Sequence, residues 1–410
     1  MSTVFDAHGH LFPPLAEDRG FTKARLAEHQ YHVRFHRQGI RRTRDDTRIS
    51  ESLLLGEKDG ISWLPDVDFR IGKFGRVEFT HEAEDFYIQW MSPTLQDMSS
   101  SPELVVRQMD YAGVDRAVIQ HDRIYGHLDD FLAECYSKFP DRFTILAQVD
   151  EWIGGRPDQL ARLRHEVEDL GFSGLYFSTG GFLHDDFKSN INDAALEPLW
   201  ELVGELGIPV HWYAARLKRD QMATYMAELA EMTEWATNHP GIPSVLTHGL
   251  NNISTNMGKP DRFTVLPEMV ALLQKPGWHV ELMLHLMYAD AEFPPYAPEL
   301  ETVVETLVDE VGSDRLMWGS DSPAVDRTLS CKQSMLLFQT RCPFLTDEQR
   351  AAILGDNLAQ LHPSASSAWA GSAMAKDRAD AQIDRHRIET ADVPRQPRDR
   401  HPGRCGAQVP

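Results

Sequence analysis

The chain has 410 residues and a formal net charge of -21, with 42% hydrophobic and 25% charged residues. Such a composition is typical of a globular protein that buries a large core. The negative charge argues against nucleic acid or an anionic membrane as the main partner, and an anionic substrate would need locally placed arginine or lysine.

The sequence predicts a cytoplasmic protein. No apolar run is long enough to span a bilayer, and the first residues lack the basic and apolar regions of a signal peptide. The cysteines show neither CxxC nor paired spacing, which predicts reduced thiols rather than a disulfide framework. They are Cys135, Cys331, Cys342 and Cys405.

The first predicted strand covers residues 4–10 and ends in two histidines, His8 and His10. Side chains two residues apart in a strand point to the same face, so both imidazoles should project together. Imidazole is the commonest metal ligand in proteins, and the pair would make half of a metal site. Alone, such a pair is more often structural than ligating.

Residues 11–95 are predicted to form an ordered insertion, a lid or cap packed over one end of the main body. They lack regular periodicity but are too rich in aromatic residues for a disordered linker. His29, His32 and His36 recur within this segment at helical spacing. Since no acidic or thiol partner accompanies them, we interpret them as a solvated helix face.

From residue 102 onward, helices that end at glycine alternate with short buried strands, which indicates βαβ units and a parallel sheet. The predicted strands after the first are residues 115–121, 142–149, 172–177, 208–213, 244–248, 278–283 and 314–319. The predicted helices are residues 103–112, 129–138, 157–170, 194–206, 220–238, 266–274 and 298–311.

Eight parallel strands with intervening helices predict an α/β fold of the (β/α)₈ TIM barrel type. A doubly wound open sheet is the alternative, but no glycine-rich phosphate fingerprint follows the first strand. Residues 347–361 are predicted to form a closing helix with Thr346 as its N-cap, so that the barrel domain spans residues 1–363. Residues 364–410 have few apolar residues and are predicted to be a disordered tail.

Polar residues with metal-binding chemistry occur where the predicted strands end. A barrel brings strand ends to one rim, so residues far apart in sequence can converge there. Several histidines with one aspartate suit Zn²⁺ or Mn²⁺/Fe²⁺, and we expect zinc, with manganese as the alternative. The strand-end residues are His8, His10, Gln120, His121, His211, His248 and Asp321.

In four motifs the chain resembles the amidohydrolase superfamily, in the branch that includes aminocarboxymuconate-semialdehyde decarboxylase and the resorcylate and carboxyvanillate decarboxylases. The motifs are Phe5-Asp-Ala-His-Gly-His10, Ile208-Pro-Val-His211, Val245-Leu-Thr-His-Gly249 and Leu316-Met-Trp-Gly-Ser-Asp-Ser-Pro323. Weaker similarities lie at residues 109–115 and 353–359, so the resemblance covers about the first 360 residues in family order. Ala324 and the long insertion depart from the family pattern and bear on the substrate.

The resemblance implies one divalent ion held by His8, His10, His211 and Asp321. It implies that His248 is an acid/base group near the metal, or a further ligand, and it makes a homodimer the expected oligomer. In such a site the ion lowers the pKa of a bound water, and Asp321 is placed to accept its proton. Asp6 and Thr247 are near enough in sequence to orient the ligand histidines.

The expected substrate is a small cyclic or carboxylated organic molecule. Arg123 and Arg216 are the best-placed cations for a substrate carboxylate, although a salt bridge or surface position is the alternative for either. For His121 and for His285, both a structural role and a substrate-binding role are considered. The predicted substrate-binding residues are Gln120, His121, Arg123, Tyr125, Tyr213, Asn251 and His285.

Two reactions remain open at this stage. The first is hydrolysis by a metal-activated water, and the second is non-oxidative decarboxylation of an aromatic or muconate-type acid. A non-catalytic metal-binding barrel is the rival from another class. Residues at the carboxyl ends of barrel strands are typically catalytic, so we expect an enzyme.

Overall fold

The computed structural model describes residues 3–16, 21–36, 39–50, 52–249, 265–283 and 299–363, and "described residues" below means these ranges. Residues Met1–His362 form one compact unit, and Pro363–Pro410 are assigned to a second. The predicted tail of residues 364–410 lies outside the described residues. No helix within the described ranges is long and apolar enough to cross a membrane.

The main body is an eight-stranded parallel barrel, as predicted. Its third strand is split at Leu146 into two short pieces, β8 and β9. Hydrogen-bonded neighbours follow the order β1-β7-β8 and β9-β10-β11-β12-β13-β14. The barrel strands are β1 (Phe5–Gly9), β7 (Arg116–Ile119), β8 (Phe143–Ile145), β9 (Ala147–Gln148), β10 (Leu175–Ser178), β11 (Val210–Tyr213), β12 (Ser244–Thr247), β13 (Trp278–Leu282) and β14 (Leu316–Trp318).

The last strand closes onto the first just beyond β14. The main-chain N–H of His10 donates to the carbonyl of Ser322, and that of Asp321 donates to the carbonyl of His8, both at 2.8 Å. These two hydrogen bonds bring residues that are more than 300 positions apart in sequence side by side at the carboxyl ends of the strands.

The barrel helices begin and end at residues with the expected capping chemistry. The first of them begins at Pro102 after the N-cap Ser101 and ends before the C-cap Gly113, whose φ of 84° favours glycine. Thr346 caps the predicted closing helix in a capping box with Gln349. The helices of the described residues are α1 (Lys23–Val33), α2 (Pro102–Ala112), α3 (Asp129–Lys138), α4 (Pro157–Glu168), α5 (Glu197–Leu206), α6 (Gln221–Asn238), α7 (Pro267–Leu273), α8 (Glu299–Val311), α9 (Cys331–Leu336), α10 (Asp347–Ala351) and α11 (Asn357–Leu361), with π-helical turns at Leu337–Arg341 and Ala352–Asp356.

A β-bulge in β1 lets both apolar and histidine side chains of this strand face the barrel interior. The pairing of β1 with β7 shifts by one residue between Asp6 and Gly9. Phe5 and Ala7 pack with Leu358 and with residues from five other strands, which is possible only inside the barrel. Strict alternation would turn His8 to the opposite face, so the extra residue redirects it.

Within residues 11–95, the described residues include one α-helix and an antiparallel sheet. The sheet has the strand order β3-β2-β6-β5-β4. Most of its aromatic residues lie in the core, including Phe79, Phe86 and Trp90. The sheet strands are β2 (Ile40–Arg42), β3 (Arg48–Ile49), β4 (Arg70–Ile71), β5 (Arg76–His81) and β6 (Glu84–Gln89).

Helix α1 lies across the carboxyl ends of β7 and β11. Arg25 donates to the carbonyl of Arg123, and Arg34 to the carbonyl of Leu217. The prediction that the histidines of this helix form a solvated face is wrong, because His29 is fully buried against Trp90 and Phe69. His29 packs inside the insertion, whereas His32 faces Tyr213 of the barrel, and sequence periodicity alone predicts neither position.

Candidate metal centre

Four side chains from three strand ends meet at the carboxyl end of the barrel. The Nε2 atoms of His8 and His10 are 3.2 Å apart, and Oδ1 of Asp321 is 3.0 Å from the latter and 3.9 Å from the former. His248 joins them, because its ligand atom lies within 4.8 Å of those of His8 and Asp321. All four were predicted site residues, and the fold brings them together.

The hydrogen bonds behind the two imidazoles fix which ring nitrogens carry protons. Nδ1 of His10 is 2.7 Å from the carbonyl oxygen of Gln120, which can only accept, so this nitrogen donates. Nδ1 of His8 is 2.8 Å from a carboxylate oxygen of Glu281 and donates to it in the same way. In the neutral form of each ring, Nε2 therefore carries the lone pair, and the two Nε2 atoms face each other.

This arrangement fits a divalent cation. Two lone pairs and a carboxylate oxygen at these separations repel one another unless a positive charge lies between them. Metal–nitrogen distances of about 2.0–2.1 Å place neighbouring ligands of a tetrahedron about 3.4 Å apart. The observed separations of 3.0, 3.2 and 3.9 Å lie around that value.

The hydrogen bonds and burial of His248 determine the protonation state of its ring. The hydroxyl of Thr247 donates to the carbonyl of Trp212, so its oxygen accepts from Nδ1 of His248 at 3.2 Å. Burial lowers the pKa of His248 well below its usual value, and the neighbouring His8 acts in the same direction. The ring is therefore neutral, with its other nitrogen available as an acceptor or ligand.

Two site residues adopt left-handed backbone conformations. The φ angles are 53° at His248 and 58° at Asp321, a region that non-glycine residues seldom occupy. His248 directly follows β12 and Asp321 comes three residues after the end of β14, where the chain turns into the loops above the barrel. Such backbone strain is common at functional sites.

Glu281 and Gln120 form a buried layer beneath His8. Glu281 accepts from His8 on one oxygen and from Nε2 of Gln120 on the other, at 2.8 and 2.6 Å. The side chain of Gln120 also donates to the carbonyl of Ala7. The predicted substrate-binding residue Gln120 is therefore a positioning residue that orients both histidines of β1.

The structure does not place His211 in the cluster, contrary to the ligand set that the resemblance implies. Its Nε2 is 3.1 Å from Nε2 of His362, which follows α11, and its Nδ1 is 3.6 Å from Glu281. His211 and Tyr213 face the same side of β11, about 6.6 Å apart along the strand. Tyr213, nearer the strand end, is the one that reaches His248, with a ring separation of 4.3 Å.

Tyr125 and His32 complete the walls of the site. The ring of Tyr125 lies 5.4 Å from that of His10 and stacks on Phe12 at 4.9 Å. His32 projects from α1 toward Tyr213, at a ring separation of 6.4 Å. Burial lowers the pKa of His32, while the charges of Asp122 and Asp321 act in the opposite direction, so this histidine lies within electrostatic reach of the centre.

The two arginines predicted to bind a substrate carboxylate are already paired. Arg123 is buried among three carboxylates, at 3.3 Å from Glu28, 3.6 Å from Glu151 and 3.7 Å from Asp122. Arg216 makes a two-pronged contact with Glu231, at 2.7 and 2.6 Å. For both, the alternative of a structural ion pair agrees with the structure, and the substrate-binding role does not.

His121 also lies away from the centre. Both of its ring nitrogens are buried without a hydrogen-bond partner among the described residues. Burial lowers its pKa to about 4, and the nearby charges that act on it include Asp129 and Arg162 rather than Asp321. The structure thus favours the structural role for His121. Asn251 and His285 lie outside the described residues.

Comparison with known proteins identifies the family. A family model described as "Amidohydrolase" matches residues 5–361, which is most of the chain. The chain belongs to the amidohydrolase family. The resemblance predicted from the motifs is thereby confirmed, and so is the prediction of an enzyme. A search of curated proteins finds no match.

Several solved structures have a similar fold, and the match to this chain covers most of the length of each. TIM-barrel protein Bb4693 from Bordetella bronchiseptica has 15% identity and a TM-score of 0.52, with coverage of 89% of this chain and 99% of that one. A zinc-bound amidohydrolase from Burkholderia multivorans has 18% identity and a TM-score of 0.51, with coverage of 65% and 89%. A 2,6-dihydroxybenzoate decarboxylase from Rhizobium has 17% identity and a TM-score of 0.45, with coverage of 65% and 88%. At such identities the likeness shows the fold alone.

Sequence reasoning missed two residues of this amidohydrolase-family site. Glu281 lies in the middle of a predicted strand, where a lone acidic residue is usually read as facing solvent. A signal was present, because the flanking residues of β13 are apolar and a fully buried strand carries a charge only for a reason. His32 had only its spacing from His29 as a signal, and that spacing equally fits a solvated face.

Proposed function

We propose that this protein is a metal-dependent hydrolase of a small cyclic or carboxylated organic molecule. The observation that carries the proposal is the convergence of two imidazole lone pairs and the Asp321 carboxylate within 4 Å, each imidazole fixed from behind by an acceptor. Buried groups arranged in this way are costly without a cation, and they belong to residues at the catalytic end of the barrel.

The proposed ligands are His8, His10 and Asp321, and His248 lies beside them as the acid/base group. Histidine nitrogens with one carboxylate suit zinc, and the zinc-bound relative from Burkholderia multivorans supports the same choice. When bound, the ion would supply Lewis-acid activation of a water or of a substrate oxygen.

The residues around the centre have separate roles in the proposed reaction. The Asp321 carboxylate accepts the proton of the attacking water, because it is the carboxylate that lies against the two histidines of the cluster. The neutral ring of His248, held by Thr247, orients the water through its other nitrogen. The proton that Asp321 has accepted then passes through this nitrogen to the leaving group. Tyr125, Tyr213 and His32 surround the substrate and keep bulk water out.

Non-oxidative decarboxylation of an aromatic acid is the second candidate. It is favoured by a flat aromatic wall beside His10, in which Tyr125 stacks on Phe12 at 4.9 Å and on Trp90 at 5.6 Å. Such a wall suits a planar ring placed against the centre. In this reaction His248 would protonate the ring carbon that loses the carboxylate.

Metal content tests the proposed centre directly. We expect protein prepared without added metal, stripped with chelator and titrated with Zn²⁺ to bind one ion per chain by elemental analysis. The H8A/H10A/D321A variant should bind none. His165→Ala is the matched control, because His165 is an exposed histidine paired with Asp169 on the outer surface. Equal tight binding by the triple variant and the wild type would refute the proposed ligand set.

Product analysis separates the two reactions. The zinc-loaded enzyme should be incubated with lactones, cyclic amides and esters on one side and hydroxybenzoic acids on the other. Acid release measured with a pH indicator supports hydrolysis, whereas CO₂ release supports decarboxylation. Each activity should disappear in His248→Ala at unchanged zinc content. Activity that survives this substitution contradicts the role given to His248.

The cytoplasm is the proposed location. Cys135, Cys331 and Cys342 are buried free thiols, which agrees with a reducing compartment. The homodimer that the resemblance implies stays a prediction, to be checked by sedimentation.

A further inference from the structure

A half-buried arginine beside the candidate metal centre has no acidic partner among the described residues. Arg327 ends the short 3₁₀ helix Ala324–Arg327, six residues after Asp321, and it is half-buried. Among the described residues, no carboxylate lies within ion-pair distance of its guanidinium. By contrast, Arg123 and Arg216, the two arginines singled out from the sequence, both have close carboxylate partners.

Neutral groups hold this side chain on two of its three nitrogens. Nε donates to the carbonyl of Ala324 at 3.0 Å, and Nη1 donates to the carbonyl of Trp90 and to Nε2 of His36, both at 2.6 Å. Nη2, with its two N–H groups, has no acceptor among the described residues. The guanidinium is therefore fixed in position with one end left for a ligand.

The contacts of Arg327 lead to the candidate metal centre through two aromatic residues. Trp90, whose carbonyl holds Arg327, stacks on Tyr125, and Tyr125 in turn lies against His10. Burial lowers the pKa of Arg327, whereas Asp321 and Tyr125 act to raise it, so these groups are near enough to interact. An arginine nevertheless stays charged at neutral pH.

A charge partly removed from water without a counter-ion attracts an anion, and a bound anion offsets its lost hydration. We propose that Arg327 binds a carboxylate of the substrate through Nη2, while the reacting group of the same molecule lies at His8, His10 and Asp321. The substrate would then be an organic acid. This inference rests on the proposed function, because it places the acid in the catalytic cavity.

The net charge of the chain disfavours an anionic ligand, so the positive charge of Arg327 matters for binding one. The net charge of -21 repels anions from most of the surface. The two arginines predicted for this role are neutralised by carboxylates and cannot offset that repulsion. Arg327 is held by a carbonyl from the insertion and by a histidine that follows α1, so the insertion helps to determine which molecules bind.

The test compares an acid with its neutral isostere. Binding of benzoate and of benzamide is measured by calorimetry on the zinc-loaded protein, together with a panel of hydroxybenzoates and muconate. We expect the wild type to prefer benzoate to benzamide by about tenfold or more, as a charge-assisted hydrogen bond requires. Equal affinity for the two, or no acid in the panel binding, overturns the proposal even without a variant.

Arg327→Gln should weaken benzoate binding about 10- to 100-fold and leave benzamide binding unchanged. Arg164→Gln is the control, because Arg164 is an exposed arginine paired with Glu168 and Glu205. An Arg327→Gln protein that keeps the wild-type preference for the acid refutes the inference.

Zinc titration distinguishes this failure from failure of the proposed function. Arg327→Gln should bind zinc like the wild type, because Arg327 touches none of the proposed ligands. If the wild type binds no zinc but still prefers benzoate through Arg327, the anion site is supported and the proposed metal centre is refuted. If zinc binds normally and the preference for benzoate is missing, the metal centre is supported and the anion site is refuted.

Discussion

Replacing Glu281 with glutamine tests how the barrel interior prepares His8 for a metal ion. The Glu281 side chain is fully buried, and its two oxygens accept from Nδ1 of His8 at 2.8 Å and from Nε2 of Gln120 at 2.6 Å. Glutamine has the same shape but only one acceptor oxygen. The hydrogen bond from Gln120 to the carbonyl of Ala7, at 2.8 Å, holds that side chain in its present orientation, so one of the two donors must then face an amide N–H group.

The expected loss comes from the state of the imidazole. Without an acceptor behind Nδ1, the ring of His8 favours the tautomer that carries its proton on Nε2, which cannot bind a metal. Loss of such a supporting acceptor typically weakens metal binding about 10- to 100-fold, or about 1.4–2.7 kcal/mol. We expect this range for zinc.

The assay is a competition titration of zinc against a chromophoric chelator at pH 7.5. Glu166→Gln is the control, because Glu166 is an equally buried carboxylate that accepts from Gln148 and Arg162 away from the centre. Both variants lose one internal carboxylate, so a shared effect on zinc affinity reflects stability alone. An unchanged zinc dissociation constant in Glu281→Gln would refute the role of the layer beneath His8.

Three further outcomes are expected. His211→Gln should change zinc affinity less than about threefold but lower the free energy of unfolding by about 1 kcal/mol, measured in urea, because His362 loses its partner. His121→Leu should flatten the pH dependence of stability. In the wild type the folded-state pKa of His121 is about 4 against 6.5 unfolded, so stability falls as the pH drops below 6.5, by about 2 kcal/mol at pH 5. Gly319→Ala should weaken zinc binding, because a Cβ atom there would lie 3.0 Å from Cβ of His8 and displace that ring.

Each of these outcomes can fail in a recognisable way. A large loss of zinc affinity in His211→Gln would return this residue to the ligand set that the resemblance implies. A His121→Leu protein with the same acid-induced loss of stability as the wild type would show that other groups cause that loss. Wild-type zinc binding by Gly319→Ala would mean that His8 keeps its position despite the added methyl group.

The order of barrel elements was predictable because local signals repeat along the chain. Glycine stops, apolar strands and the Thr346 capping box are all encoded within a few residues, and α3 has the same bounds as predicted. The insertion had no such signals. Its strands pair across long separations, as when Arg41 pairs with Tyr87, and its longer strands are only partly buried, so neither period nor length identified a sheet.

The site was predictable to the level of strand ends but not to the level of single positions. The closure of β14 onto β1 follows from the barrel and brings Asp321 to His8 and His10. Sequence cannot tell which of two inward positions on β11, His211 or Tyr213, reaches the cluster, because both obey the same alternation. Partners at distances of about 100 residues or more, such as Glu281 for His8, leave no local trace.

The polar contacts of the barrel extend along its axis to the opposite end. Beneath His8 they continue through Glu281 to His211 and then to His362, just beyond α11. The final helix therefore seals the floor beneath the whole set of histidines. A shortened protein that stops before this helix would admit water to the axis from below, so work on the metal centre needs chains that extend at least through residue 362.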